Sequence, residues 1–166
     1  MKDLTRRALL RTLAAAPAAM TSEPPHAGGA DCVFCKIIRG EAEATVVYRD
    51  ARFIAFADLY PLQAGHLLLV PLAHVESIYA LSDDLAAQLF PVAARLARVL
   101  KKALSADGMT LIQNNDKAGD QAVFHFHLHL VPRTVGRVVL LRVVPREKAD
   151  RGELEKVFAP VRAALG

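Results

Sequence analysis

"FHFHLHLVPR", residues 124–133, sets three histidines at every second position. The chain holds six histidines in 166 residues, so half of them fall within this one stretch. Phe124, Phe126, Leu128 and Leu130 alternate with His125, His127 and His129. Aromatic and apolar residues at period two predict a β-strand. Successive strand side chains point to opposite faces, so the three imidazoles share one face and the apolar set takes the other. The apolar face suits a core. The imidazole face needs polar partners, because burying an unpaired polar group is costly. Metal binding and phosphate chemistry are the two uses such a face suggests. A surface strand with chance histidines is the plain alternative.

Working outward, "MTLIQN" (109–114) predicts a strand before the histidines, with a polar loop at 115–121 between the two. Upstream, Ser82 can cap a helix whose positive end suits Asp83 and Asp84. That helix is expected to run to about Ser105, with Leu85, Leu89, Val92, Leu96 and Leu100 as its inner stripe. "HLLLVP" (66–71) is a short apolar run between turn signals and reads as a buried strand. "TVVYRD" (45–50) and "RFIAFAD" (52–58) read as two strands joined tightly around Asp50 and Ala51. "CVFCKIIRG" (32–40) predicts a turn and short helix closed by Gly40. Downstream, "RVVLLRVVP" (137–145) suggests a further strand, and Glu153 to Leu165 a C-terminal helix. The expected class is α+β: a mainly antiparallel sheet of about five strands, one long helix packed on it, and a C-terminal helix.

Composition agrees with one soluble globular domain: 53% of residues are hydrophobic and 23% charged. The net charge of +4 sits mostly at the start, where Lys2, Arg6, Arg7 and Arg11 face only Asp3. The rest of the chain lacks the basic stripe of a nucleic-acid binder, so no nucleic-acid partner is expected. "TRRALLRTLAAAPAAM" (5–20) has an arginine pair and a weakly apolar run broken by Arg11 and Pro17. It is too short and broken to span a bilayer, so no membrane span is expected. Its order of features resembles a twin-arginine export signal at residues 1–20. The competing readings are a disordered extension, or translation from Met20. We expect residues 1–30 to lie outside the core, His26 to be incidental, and the protein to be cytoplasmic, with export as the alternative.

Cys32 and Cys35, two residues apart, are no disulfide framework. Two thiolates on one turn make half a zinc site, each able to reach the ion at about 2.3 Å. A redox dithiol would need a strand leading into Cys32, and none is evident. For phosphate chemistry, a neutral imidazole can attack phosphorus if its other nitrogen is held by an acceptor. The charge developing on the phosphoryl oxygens needs donors. A strand with several histidines on one face, after a loop carrying Gln113, Asn114, Asn115 and Gln121, supplies both.

With these residues in view, the chain resembles the histidine triad (HIT) family, whose signature alternates three histidines with apolar residues. Here it reads His125-Phe-His127-Leu-His129-Leu-Val. The resemblance runs in order over roughly residues 31–133, through "CVFCKIIRGE", "FADLYPLQAGHLLLVPLAHVES" and "LIQNNDKAGDQAVFHFHLHLVPR". It implies a HIT-like fold, with residues 31–135 as the HIT domain and 136–166 as a C-terminal strand and helix extension of it. It implies that His127 is a nucleophile attacking an α-phosphorus to form a nucleotidyl-histidine, later released by water as a nucleoside monophosphate. His129 and His66 match further active-site imidazoles. Asp58 matches a carboxylate that accepts from ribose hydroxyls, and Asn114 and Gln121 match amides at the phosphate and leaving group. Phe34, Ile37 and Leu59 match the apolar positions around the base. The resemblance further implies a structural zinc held by Cys32, Cys35, His74 and His125, a purine nucleotide substrate and a homodimer.

Two positions depart from the family pattern. Asp120-Gln121-Ala122 stands where Gly-Gln-Ser or Gly-Gln-Thr is usual. Ala122 lacks a hydroxyl that would donate to phosphate, a loss on the order of 1 kcal/mol. The leading expectation is therefore a hydrolase or transferase acting on nucleoside phosphoramidates or dinucleoside polyphosphates. The alternatives are a nucleotide-binding regulatory module with weak or no turnover, and a zinc-dependent interaction protein.

Overall fold

The computed structural model describes residue 29, residues 31–137 and residues 146–166. The expected strand at 137–145 therefore falls almost wholly outside the described residues. So do the twin-arginine-like segment, the start at Met20 and His26.

Among the described residues five strands form one antiparallel sheet: β1 (Val46–Arg49), β2 (Phe53–Ala57), β3 (Leu67–Pro71), β4 (Gly108–Ile112) and β5 (Leu128–Arg133). They are ordered β1-β2-β3-β5-β4. Among the described residues three α-helices accompany the sheet: α1 (Val33–Arg39), the long α2 (Asp83–Ala103) and α3 (Arg151–Leu165). The local chemistry explains most of these boundaries. Gly40 closes α1 in the left-handed conformation, with φ at 77°, which costs glycine little. Asp50 turns the first hairpin by accepting the backbone N–H groups of Arg52 and Phe53, both at 2.7 Å. Ser82 caps α2 through its hydroxyl, which accepts from the Leu85 N–H. Asp150 does the same for α3 at Glu153.

Alternation sorts the sheet into two packed faces. Phe53, Ala55, Ala57, Leu67, Leu69, Leu128 and Leu130 meet Leu89, Ala93, Leu96 and Leu100 of α2 and Leu154, Phe158 and Val161 of α3. Ile54, Phe56, Leu68 and Val70 face the other way and pack with Phe34, Ile37 and Ile38 of α1. The central strands β2 and β3 are buried on both sides, which explains why their sequences are unbroken apolar runs. The buried stripe on α2 keeps Leu89, Leu96 and Leu100 of the expected five. Ala93 is buried, whereas Leu85 and Val92 only flank the core.

The larger correction concerns the histidine stretch. Residues 124–127 are not strand; β5 begins at Leu128. Their backbone groups are spent elsewhere: the His125 N–H donates to the Val123 carbonyl, and the Phe126 N–H to Val75 at 2.5 Å. The alternation of faces nevertheless persists from 125 onward. Phe126, Leu128 and Leu130 enter the helix-covered core, and the imidazoles turn to the α1 side. Phe124 leaves the pattern and is exposed. Period two recorded which way side chains point, not which residues join the ladder.

Gly65, just before β3, has φ at 85° and sits under Leu104, whose Cδ1 would lie 2.3 Å from an added Cβ. Substituting Gly65→Ala combines a left-handed alanine with a displaced leucine. A loss of about 1–2 kcal/mol in urea unfolding is expected.

Candidate active site and metal centre

Each histidine of the stretch is fixed by a different backbone or ring partner, and those partners assign the tautomers. The His125 Nε2–H donates to the Pro71 carbonyl at 3.0 Å, which leaves Nδ1 with its lone pair. The His127 Nδ1–H donates to the His125 carbonyl at 2.7 Å, which leaves Nε2 bare. The His66 Nδ1 accepts from the Leu62 N–H at 3.1 Å, so its Nε2 carries the proton and donates to His129 Nδ1 at 2.9 Å. His129 is then the Nε2–H tautomer.

Burial holds these rings neutral. It is the leading cause in all four cases, pulling His66 down to about 3 and His125 to about 4, with His127 and His129 also lowered. The nearby Arg146 guanidinium adds to the effect at His66 and His129. Phe34 stacks edge-on against His127, with ring centroids 5.2 Å apart.

His127 and His129 line a cavity of about 580 Å³, within the roughly 300–1,000 Å³ range of small-molecule sites. Phe34, Ile37, Leu59, Asp58 and Asn114 also line it. Two residues from the sequence reading stand away from its wall. His66 is fully buried behind His129. Gln121 is buried with its amide committed: Oε1 accepts from the Asp116 N–H, and Nε2 donates to the carbonyls of Glu76 and Val123. Its side chain ties the loop before the histidines instead of reaching the cavity. Ala122 and Asp120 do reach it. Asp120 is left-handed, with φ at 62° and ψ at 28°, a conformation that a glycine would hold without strain. Asp58 is raised by burial and pulled back by the Tyr60 N–H and by Arg146. Its Oδ1 accepts from that N–H at 2.9 Å.

Sequence reading missed Arg146 and Arg151, both of which line the cavity. Arg151 pairs with Glu43 at 3.3 Å. Arg146 stands 3.6 Å from Asp58 Oδ2 and donates to the Tyr60 carbonyl at 2.9 Å. Single arginines in a polar tail carry no local signal of such a position.

A second cluster lies beside the first. Cys32, Cys35, His74 and His125 bring four ligand atoms within 4.8 Å of one another. Cys35 Sγ lies 3.3 Å from His74 Nδ1 and 3.5 Å from His125 Nδ1, and Cys32 Sγ lies 3.5 Å from that same nitrogen. A tetrahedral ion with metal–sulfur bonds of about 2.3 Å and metal–nitrogen bonds of about 2.0–2.1 Å sets S and N about 3.5 Å apart. The donor set and its spacing fit a metal ion. The His125 tautomer fits too, because the nitrogen turned to the cysteines is the unprotonated one and the other is anchored on Pro71. Burial, with Cys32 close by, pushes the Cys35 thiol up to about 11. A cation reverses that by stabilising the thiolate.

The HIT domain family matches residues 39–136 of this chain. The chain is 37% identical over 103 residues to "Protein hit" of Bacillus subtilis, covering 62% of this chain and 71% of that protein. It is 31% identical over 143 residues to an adenosine 5′-monophosphoramidase of Candida albicans, covering 84% and 94% of the two. A zinc-bound histidine triad family protein from Mycobacterium smegmatis has a similar structure, with a TM-score of 0.74 and 35% identity, covering 83% and 95% of the two chains.

The neutral buried rings predict acid-sensitive stability. Below about pH 6.5 the unfolded chain takes protons at His66 and His129 that the folded chain refuses. Stability is therefore complete above that pH and falls as the solution is acidified toward the folded values, about 3 for His66. The slope per group is at most about 1.4 kcal/mol per pH unit. Asp58, raised in the fold, works in the opposite direction. Urea midpoints should drop between pH 7 and pH 5, and His66→Gln, which cannot titrate, should flatten the drop.

Proposed function

The chain belongs to the HIT family, and on that premise we propose that it hydrolyses nucleoside 5′-phosphoramidates, or dinucleoside polyphosphates, at the α-phosphorus. The observation that carries this reading is the His127 tautomer: Nδ1–H is anchored on a backbone carbonyl, and the free Nε2 lone pair belongs to a ring lining the cavity. His127 Nε2 forms a bond to phosphorus as the bond to the leaving amine breaks, and the amine departs with a proton taken up from solvent. The ring becomes cationic, and its Nδ1–H donates more strongly to the His125 carbonyl, which stabilises the charge as it develops. Water then forms the new P–O bond, the P–Nε2 bond breaks, and the nucleoside monophosphate leaves with one proton released. His129 offers its Nε2–H to a phosphoryl oxygen, and His66 holds His129 in that tautomer from behind. Asn114 donates near the leaving group, Asp58 accepts from ribose hydroxyls, and Phe34, Ile37 and Leu59 flank a purine.

Cys32, Cys35, His74 and His125 would hold a zinc ion. With four protein ligands it is structural, since no position remains open for water. It would fix the start of α1 to the loop that carries His127. Pairing of two copies belongs to the same reading, supported by β4 at a sheet edge with Leu111 exposed, and by Phe90 exposed on α2.

Incubation with adenosine 5′-monophosphoramidate should release AMP. His127→Ala should reduce the rate at least a thousandfold, because covalent catalysis has no substitute nucleophile. Equal release by both proteins would overturn the assignment. The rate should be flat through neutral pH and fall only on the acid side of the ordinary imidazole range, because the His127 ring is held neutral by burial. Metal analysis should return about one zinc per chain, lost in Cys35→Ser together with on the order of several kcal/mol of stability.

A further inference from the structure

Asp58 and Arg146 form an ion pair whose nearest approach, 3.6 Å, is just longer than a hydrogen bond. Asp58 Oδ1 is committed to the Tyr60 N–H. Among the described residues, no donor lies within hydrogen-bond distance of Oδ2. The Arg146 Nη1 stands 3.6 Å away, and the near nitrogen of His66, at 3.3 Å, carries a lone pair because it accepts from Leu62. Arg146 is held by one hydrogen bond to the Tyr60 carbonyl and is 30% exposed along its side chain. Its remaining N–H groups have no partner among the described residues. Both side chains line the cavity.

A carboxylate that needs donors and a guanidinium that needs acceptors, side by side on one wall, match groups that do both. A hydroxyl donates once and accepts twice. A vicinal diol can give its protons to Asp58 and accept from Arg146 through its oxygens. An anion would satisfy Arg146 but meet the Asp58 carboxylate, so the pair disfavours a phosphate at this place. We infer that Arg146, from the segment leading into α3, is a specificity residue that reads the ribose diol together with Asp58. The inference rests on the proposed role of Asp58 as the ribose-facing carboxylate.

The test is a cycle between protein and sugar. Full-length wild type, Arg146→Met and Arg146→Lys are compared on the 5′-monophosphoramidates of adenosine, 2′-deoxyadenosine and 3′-deoxyadenosine. Circular dichroism melting first checks that each variant is folded. Wild type should prefer the ribonucleotide by roughly tenfold or more in kcat/KM over at least one deoxy analogue, as expected for a charge-assisted hydrogen bond. Arg146→Met should lose about that factor on the ribonucleotide and little on that analogue, so the preference collapses. Arg146→Lys should restore part of it. A loss shared equally by all three substrates would make Arg146 a prop for the cavity wall and overturn the inference. Tighter binding of adenosine 3′,5′-bisphosphate than of AMP, abolished by Arg146→Met, would assign the arginine to an anion and overturn it as well. If no substrate is turned over by wild type, the reaction has been misread. Calorimetric binding of AMP and its two deoxy analogues then applies the same ratios to Arg146 independently.

Discussion

The peptide unit of His125 bears on both halves of the site. Its side chain turns Nδ1 toward Cys32 and Cys35, and its carbonyl accepts the Nδ1–H of His127 at 2.7 Å. The second contact decides the chemistry available at residue 127. A neutral imidazole has one protonated and one bare nitrogen, and whichever hydrogen bond is made fixes the other. Because the acceptor is a backbone carbonyl, no titration or side-chain rotation can withdraw it. The candidate metal-ligand cluster and the free nitrogen of His127 are therefore joined through a single residue.

The same economy runs through the rest of the wall. His66 takes its tautomer from the Leu62 N–H and passes it to His129. Buried imidazoles without partners would be costly, yet every ring here has a designated donor or acceptor. Burial keeps the rings neutral, and neutrality keeps one lone pair on each available. The two-sided sheet provides the rigidity this needs. Helices α2 and α3 fill one face with apolar side chains, and α1 covers part of the other while leaving the cavity open. Phe34 belongs to that smaller cluster and also stacks on His127.

Much of this was legible in residue order. The buried strand β3 is announced by a short apolar run between turn signals, β2 by its tight join to β1 around Asp50 and Ala51, and the long helix by Ser82 with two aspartates behind it. The four metal-ligand candidates could be named only through the family resemblance, because His74 and His125 lie far from the cysteines in sequence. The start of β5 is not legible, because side-chain alternation continues through residues whose backbone pairs with loops. Gln121 was expected at the substrate, but its amide is consumed inside its own loop. Arg146 was invisible because its position depends on the chain returning to the cavity after β5. Local patterns reveal burial and turns; they do not reveal which distant polar groups the fold brings face to face.

The central claim is that the bare nitrogen of His127 becomes covalently bonded to phosphorus during turnover. Rapid mixing with an adenosine phosphoramidate, quenching in alkaline denaturant and peptide mass mapping test it directly. The account predicts an adenylyl group on His127, linked through Nε2, formed within the first turnover and decaying as AMP appears. An adenylyl group on any other side chain, or AMP release with no protein adduct at any time, would contradict it.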